Sequence, residues 1–144
     1  MRDYIQMPHD RLVKVPEGFD MRVASFSELV SVSVQSISRF EKFANSNRRR
    51  IGIWGDGNVG FITALMLHYL YPNAELYIFG TVEDKLNFFT FAKDTFHVDA
   101  VPEGVSIDHA FECVGGPGSR PAINQMIDLI EPEGSIYAHG RQRE

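Results

Sequence analysis

The stretch Arg50-Ile51-Gly52-Ile53-Trp54-Gly55-Asp56-Gly57-Asn58-Val59-Gly60 leaves the chain few ways to fold. A short apolar run that follows three arginines reads as a buried parallel strand. It breaks at Gly55-x-Gly57-x-x-Gly60 and passes directly into Phe61-Ile62-Thr63-Ala64-Leu65-Met66-Leu67, whose content is helical. In a strand-turn-helix of this kind Gly55 allows the tight turn, and Gly57 lets a pyrophosphate approach the backbone. Gly60 lets the helix lie close on the strand, and Ala64, one turn on, keeps that contact small. The pyrophosphate would rest on the free N–H groups at the positive end of the helix dipole. Glycine-rich strand-to-helix turns also occur without a nucleotide, so the weight lies in what surrounds this one.

Beyond the turn, helices and strands alternate. The first helix should end near Tyr71-Pro72-Asn73, and a second strand runs over 75–79 to Gly80-Thr81. A second helix is expected from Val82 to about Lys93, a third strand over 97–101 and a fourth over 107–114. A helix over 120–130 and a fifth strand over 135–138 complete the series, with Pro132-Glu133-Gly134 turning the chain between them. This order implies an α/β fold, a doubly wound parallel sheet of the Rossmann type with helices on both faces. Six strands are usual in that fold, so the unit is expected to be incomplete at its C-terminal edge, with strand 135–138 open to self-association. Ahead of it, residues 11–15 read as a strand between Pro8 and Pro16-Glu17-Gly18. Residues 21–44 read as a helix capped by Ser25 or Ser27, with Phe26, Leu29, Val30, Val34, Ile37 and Phe40 as its apolar stripe.

The 144 residues suit one domain, and the net charge of −5 argues against a nucleic-acid surface. The segment 59–70 is too short to span a membrane, and the N-terminus has no apolar signal core, so a cytoplasmic protein is expected. The one cysteine, Cys113, excludes an internal disulfide and reads as a small core residue. The five histidines show no ligand spacing, and Phe88, Phe89 and Phe91 read as core and interface.

Taken together, Gly55–Gly60, the block Phe111-Glu112-Cys113-Val114-Gly115-Gly116 and the segment 10–18 resemble the medium-chain, zinc-dependent alcohol and polyol dehydrogenases. Within that family the overall likeness is greatest to the bacterial ribulose-5-phosphate reductases. The resemblance implies that residues 1–20 are the end of a GroES-like catalytic domain, 21–47 a linking helix, and 48–144 a truncated dinucleotide-binding Rossmann domain. It implies an NADP(H) cofactor, zinc in the full-length enzyme, and a sugar phosphate substrate, with ribitol 5-phosphate made for teichoic acid or capsule and a homo-oligomeric assembly. Gly55, Gly57, Asn58, Val59 and Gly60 match the pyrophosphate turn, and Gly80, Thr81 and Lys85 match positions that read the adenosine ribose. Val114 and Gly115 match the loop lining the cofactor. Glu28 matches the place of a zinc ligand, whose partner ligands would lie upstream of Met1. The catalytic residues are not assigned.

The choice of NADP(H) over NAD(H) rests on the end of the second strand. An NAD-specific fold puts Asp or Glu there to accept from the ribose hydroxyls, but this strand ends in Gly80 and Thr81. Gly80 leaves room for a 2′-phosphate, Thr81 can donate a hydroxyl hydrogen bond, and Lys85 brings a charge one helical turn on. The competing arrangement has Glu83 or Asp84 on the ribose, although both suit a helix N-terminus better. Two other functions fit the glycine turn: a nucleotide-binding module without catalysis, and an S-adenosylmethionine-binding domain. A short-chain dehydrogenase is disfavoured, since no Tyr-x-x-x-Lys pair occurs.

Overall fold

The fold is organised around β1 (Arg50–Trp54), which sits in the middle of a five-stranded sheet. The computed structural model describes residues 4–138. β1 is joined by β2 (Glu75–Gly80), β3 (Asp94–His97), β4 (Ile107–Glu112) and β5 (Ile130–Ala138), in the spatial order β3-β2-β1-β4-β5. Every pairing is parallel. Between them run α3 (Asn58–Leu70), α4 (Glu83–Leu86) and α5 (Ser119–Leu129), preceded by α1 (Met21–Ala24) and α2 (Ser27–Phe43). This is the doubly wound order, and the strand sequence reverses between β1 and β4, where such sheets open a crevice for ligands.

Strand alternation sends successive β1 side chains to opposite faces. Ile51 and Ile53 join Leu76, Ile78, Ala64, Leu67, Ile37 and Phe40 in the core under α2 and α3. Trp54 and Phe79 join Ile107, Ala110, Ala122 and Met126 under α5. The Trp54 indole stacks on Phe79 at 3.9 Å and donates to Gln125 Oε1 at 2.8 Å. Phe40 fixes α2 to the sheet, with ring contacts to Tyr71, His109, Phe111 and Tyr137 at 5.3–5.6 Å. At the strand entries Asp108, 2% exposed, accepts from Arg50 N at 2.7 Å, Arg50 Nη2 at 2.8 Å and Asn47 Nδ2 at 3.0 Å.

Several local expectations change. Residues 11–15 form no strand. A short 3₁₀ turn occupies His9–Arg11, and Val13 is 94% exposed, because no sheet edge of the described chain lies alongside to complete its hydrogen bonds. The helix expected over 21–44 is two helices. Asp20 caps α1 by accepting from Arg22 N at 2.8 Å, while Ser25 Oγ turns back to Arg22 O and Phe26 precedes α2 without a side-chain cap. The buried face of α2 is Ser33, Ser36, Ile37 and Phe40, leaving Phe26, Val30 and Val34 exposed. Ser33 Oγ and Thr63 Oγ1 meet at 2.8 Å, and small polar residues let α2 and α3 approach there.

The helix expected from Val82 to Lys93 stops at Leu86. Beyond it the turns are i→i+3, and Phe89 is pulled into the core against Phe61 at 5.2 Å, in a run whose aromatic residues are weak helix formers. The chain therefore reaches the sheet early, and β3 is Asp94–His97 rather than 97–101. β5 begins at Ile130, five residues before the expected start. It pairs Ile130 with Ile107 and Ser135 with His109, and the residues between them bulge out with Glu133 at φ 67°. No helix of the described residues is long and apolar enough to cross a membrane.

Candidate dinucleotide site

The glycine turn lies where β1 gives way to α3, at the carboxyl end of the sheet beside the β1/β4 crevice. Its three glycines do different work. Gly55 has φ 124°, which only glycine adopts without strain, and its would-be Cβ lies 2.7 Å from Cys113 O. Gly55 N donates to Phe79 O, and Cys113 N to Trp54 O, both at 2.8 Å, so the turn is tied to β2 and β4. Gly60 lies against the turn: a Cβ there would come within 1.9 Å of Gly55 O. Gly57 is the opposite case, exposed, with no atom within 4 Å of the space a Cβ would take.

That open space faces the start of α3. No side chain caps this helix at Gly57, and the first intrahelical bond is the one Phe61 N donates to Gly57 O, at 2.9 Å. The N–H groups of Asn58, Val59 and Gly60 thus have no partner four residues back within the helix. An uncapped N-terminus behind an empty glycine position fits a phosphate group, through both hydrogen bonds and the dipole. The residues present therefore suit a dinucleotide.

Across the crevice, the loop after β4 is shaped by Glu112. This 1% exposed side chain accepts from Val114 N at 2.9 Å and Gly115 N at 2.8 Å, and Gly115 takes φ 69°. Val114 is exposed. Sequence reasoning finds Val114 and Gly115 but not the carboxylate beneath them. A buried carboxyl group that accepts two local backbone hydrogen bonds has no sequence signature of its own.

At the end of β2 the structure departs from the expected arrangement. Asp56, the residue between the first two glycines, reaches across so that its Oδ2 accepts from Thr81 N at 2.7 Å and Val82 N at 2.8 Å. The space beside Gly80 is filled by this side chain: a Cβ on Gly80 would come 2.7 Å from Asp56 Oδ2. The strand end that lacks an acidic residue in sequence thus has a carboxylate in space. Lys85 lines the same cavity as Asp56, Gly57 and Asn58. That cavity, about 1020 Å³, continues along Phe26, Val30, Phe61 and Phe88, so Gly57, Asn58 and Lys85 open into one space.

Glu28 stands apart, exposed in the first turn of α2. Among the described residues no three His, Cys, Asp or Glu side chains group so as to hold a metal ion, so Glu28 alone makes no zinc site here. Cys113, expected in the core, is partly buried against its edge, with Sγ 3.8 Å from Thr63 Oγ1, and burial of the thiol pushes its pKa up to about 12.

No protein-family model matches the chain. Over 140 residues it is 53% identical to ribulose-5-phosphate reductase 1 of Staphylococcus aureus, covering 97% of this chain and 41% of that protein. Its homologues are ribulose-5-phosphate reductases. The Bacillus spizizenii reductase is 45% identical over the same share of this chain. In fold, S. aureus TarJ crystallised with NADPH superposes with a TM-score of 0.83 at 52% identity, covering 94% of this chain and 43% of TarJ. The chain spans about two fifths of the length of the curated relatives it matches. These likenesses bear out the resemblance to the ribulose-5-phosphate reductases; a zinc-binding dehydrogenase of Sinorhizobium meliloti bound to NADP, 19% identical with a TM-score of 0.72, shares the fold.

Proposed function

We propose that this chain is the NADP(H)-binding portion of an oxidoreductase that reduces D-ribulose 5-phosphate to D-ribitol 5-phosphate. What carries the reading is the open glycine turn at the uncapped start of α3, in a chain 52% identical to a protein crystallised with NADPH. When bound, the reduced nicotinamide supplies a hydride to the ketone carbon. The chain's residues hold and aim it. The N–H groups of Asn58, Val59 and Gly60 bind the pyrophosphate, with Gly57 leaving the way open. Gly80, Thr81 and Lys85 take the adenosine ribose and its 2′-phosphate. Val114 and Gly115, held by Glu112, line the cofactor on the β4 side and fix its orientation against the sheet.

Glu28 supplies at most one zinc ligand. In an intact enzyme, residues 1–20 would end the GroES-like domain that holds the rest of the zinc site and the sugar phosphate, and residues 21–47 would link it to this one. We place such an enzyme in the cytoplasm, with its product passed to teichoic acid or capsule synthesis, and as a homo-oligomer.

The test is a set of dissociation constants for NADPH, NADH and S-adenosylmethionine on the 144-residue chain. A charge-assisted hydrogen bond to the 2′-phosphate contributes about 1.5–3 kcal/mol, so NADPH should bind roughly tenfold to a hundredfold more tightly than NADH. Lys85→Ala should remove most of that preference. No oxidation of NADPH by ribulose 5-phosphate is expected, since one carboxylate cannot hold a catalytic zinc. Failure to bind either dinucleotide, or tighter binding of S-adenosylmethionine, would overturn the reading.

A further inference from the structure

We propose that Asp56 is a specificity-determining residue: a built-in anion that occupies the seat of the 2′-phosphate and must be displaced when NADP(H) binds. The inference rests on the dinucleotide reading above and extends it to a residue which that reading does not use.

Two successive backbone N–H groups pointing to one spot form an anion-binding nest. Thr81 N and Val82 N form such a pair at the carboxyl end of β2, where this fold places the adenosine ribose. Both donate to a single oxygen, Asp56 Oδ2, at 2.7 and 2.8 Å. The arrangement depends on Gly80, since any side chain there would strike both Oδ2 and Cβ of Asp56, at 2.7 and 2.8 Å. Lys85 opens onto the same cavity, yet no ion pair among the described residues joins it to Asp56. The cation therefore shares a cavity with the carboxylate that fills the nest without being paired to it.

A ribose carrying a 2′-phosphate and the Asp56 carboxylate cannot share two N–H groups, and like charges at that distance repel. NADP(H) must therefore move the carboxylate off the nest, and the phosphate then takes Thr81 N, Val82 N and the Lys85 ammonium. A ribose bearing a 2′-hydroxyl leaves Asp56 seated and can donate to its second oxygen. Asp56 thus weakens NADP(H) selectively and narrows the margin over NAD(H).

The experiment measures calorimetric binding of NADPH, NADH, 2′,5′-ADP and 5′-ADP to the 144-residue chain, unmodified and as Asp56→Asn and Asp56→Ser. Asparagine keeps an acceptor oxygen for the nest, so the turn stays tied while the charge is removed. NADPH and 2′,5′-ADP should bind about tenfold more tightly to Asp56→Asn, while NADH and 5′-ADP are unchanged or weaker, raising the preference ratio by at least that factor. In the unmodified chain, 2′,5′-ADP should shift the amide resonances of Thr81 and Val82, and 5′-ADP should leave them in place. This second measurement needs no variant to fold. An unchanged ratio in both substitutions, or Thr81 and Val82 amides indifferent to 2′,5′-ADP, overturns the proposal while leaving the dinucleotide reading intact. Equal weakening of all four ligands reduces Asp56 to a structural tie and overturns it as well. An unmodified chain that binds no nucleotide removes both readings together.

Discussion

Adding one methyl group at Gly57 or at Gly60 should separate cofactor binding from folding. At Gly57 the backbone, at φ −87° and ψ −174°, is one that alanine adopts freely, and nothing lies within 4 Å of the new atom. Alanine is a poorer N-cap than glycine by some tenths of a kcal/mol, but it lowers the entropy of the unfolded chain by about 0.4–1 kcal/mol. The two effects nearly cancel, so Gly57→Ala should unfold within about 0.5 kcal/mol of the parent. Yet its methyl group stands in the space proposed for the pyrophosphate, and NADPH affinity should fall by about a hundredfold or more, the order of effect a misplaced reactant suffers. Gly60→Ala behaves differently. Its Cβ would lie 1.9 Å from Gly55 O, where real contacts essentially never fall below 3.0 Å, so α3 must move off the turn by more than about 1 Å. Overpacking of this kind costs about 1–3 kcal/mol or more, and the displaced helix start should lose the nucleotide as well. Urea unfolding read beside NADPH titration gives both numbers for each variant. A Gly57→Ala chain that binds NADPH like the parent, or a Gly60→Ala chain of unchanged stability, would refute the geometric argument.

Arg50→Ala should cost about 3–5 kcal/mol, because it strips the charged side-chain partner from a buried carboxylate. Urea unfolding checks this, and a loss under about 1 kcal/mol would show that Asn47 and the Arg50 N–H suffice for Asp108. The same pair sets an acid limit. Burial raises the Asp108 pKa, but the hydrogen bonds and charge of Arg50 outweigh it and hold the carboxyl below its ordinary value. Its stabilisation is therefore full above the unfolded value near about 3.9 and is lost as pH falls through the lower folded value. The cost of Arg50→Ala should accordingly be largest above about pH 4 and shrink as pH falls and Asp108 is protonated. Cys113, its thiol pushed up to about 12, should resist alkylation at about pH 8 in the folded chain and react on unfolding; rapid labelling of native protein would contradict the packing described.

Strands β1 and β2 are legible in the sequence because most of both faces is buried, which shows as apolar runs ended by glycine; β4 is legible from Ala110-Phe111 and the glycines that follow Val114, although it buries Asp108, His109 and Glu112 as well. The turn at Gly55–Gly60 is legible because local sterics specify Gly55 and Gly60, while Gly57 is marked by the space it leaves open. What stays hidden depends on partners distant in the chain. The burial of Ser33 depends on Thr63, thirty residues on, and a period count that rewards valines rotates α2 onto the wrong face. The end of α4 is decided by Phe61 drawing in Phe89. At the end of β2 the residue types are read correctly and the space is not: a carboxylate is sought along the strand, whereas Asp56 arrives from the neighbouring turn. Gly80→Asp, the obvious probe of cofactor choice from sequence, would therefore collide with Asp56 and needs Asp56→Asn beside it to be interpretable.

The stack of Trp54 on Phe79 has a use outside the fold. Trp54 is the only tryptophan, it is fully buried, and the residue after it is Gly55. Its emission should be that of an indole in an apolar setting and should move to the red when the α5-side core opens, so unfolding can be followed without a label. Reduced nicotinamide absorbs where indole emits, so a dinucleotide seated on the adjoining turn should quench that emission by energy transfer. The chain thus carries one optical reporter for both folding and occupancy, placed by the strand that organises it.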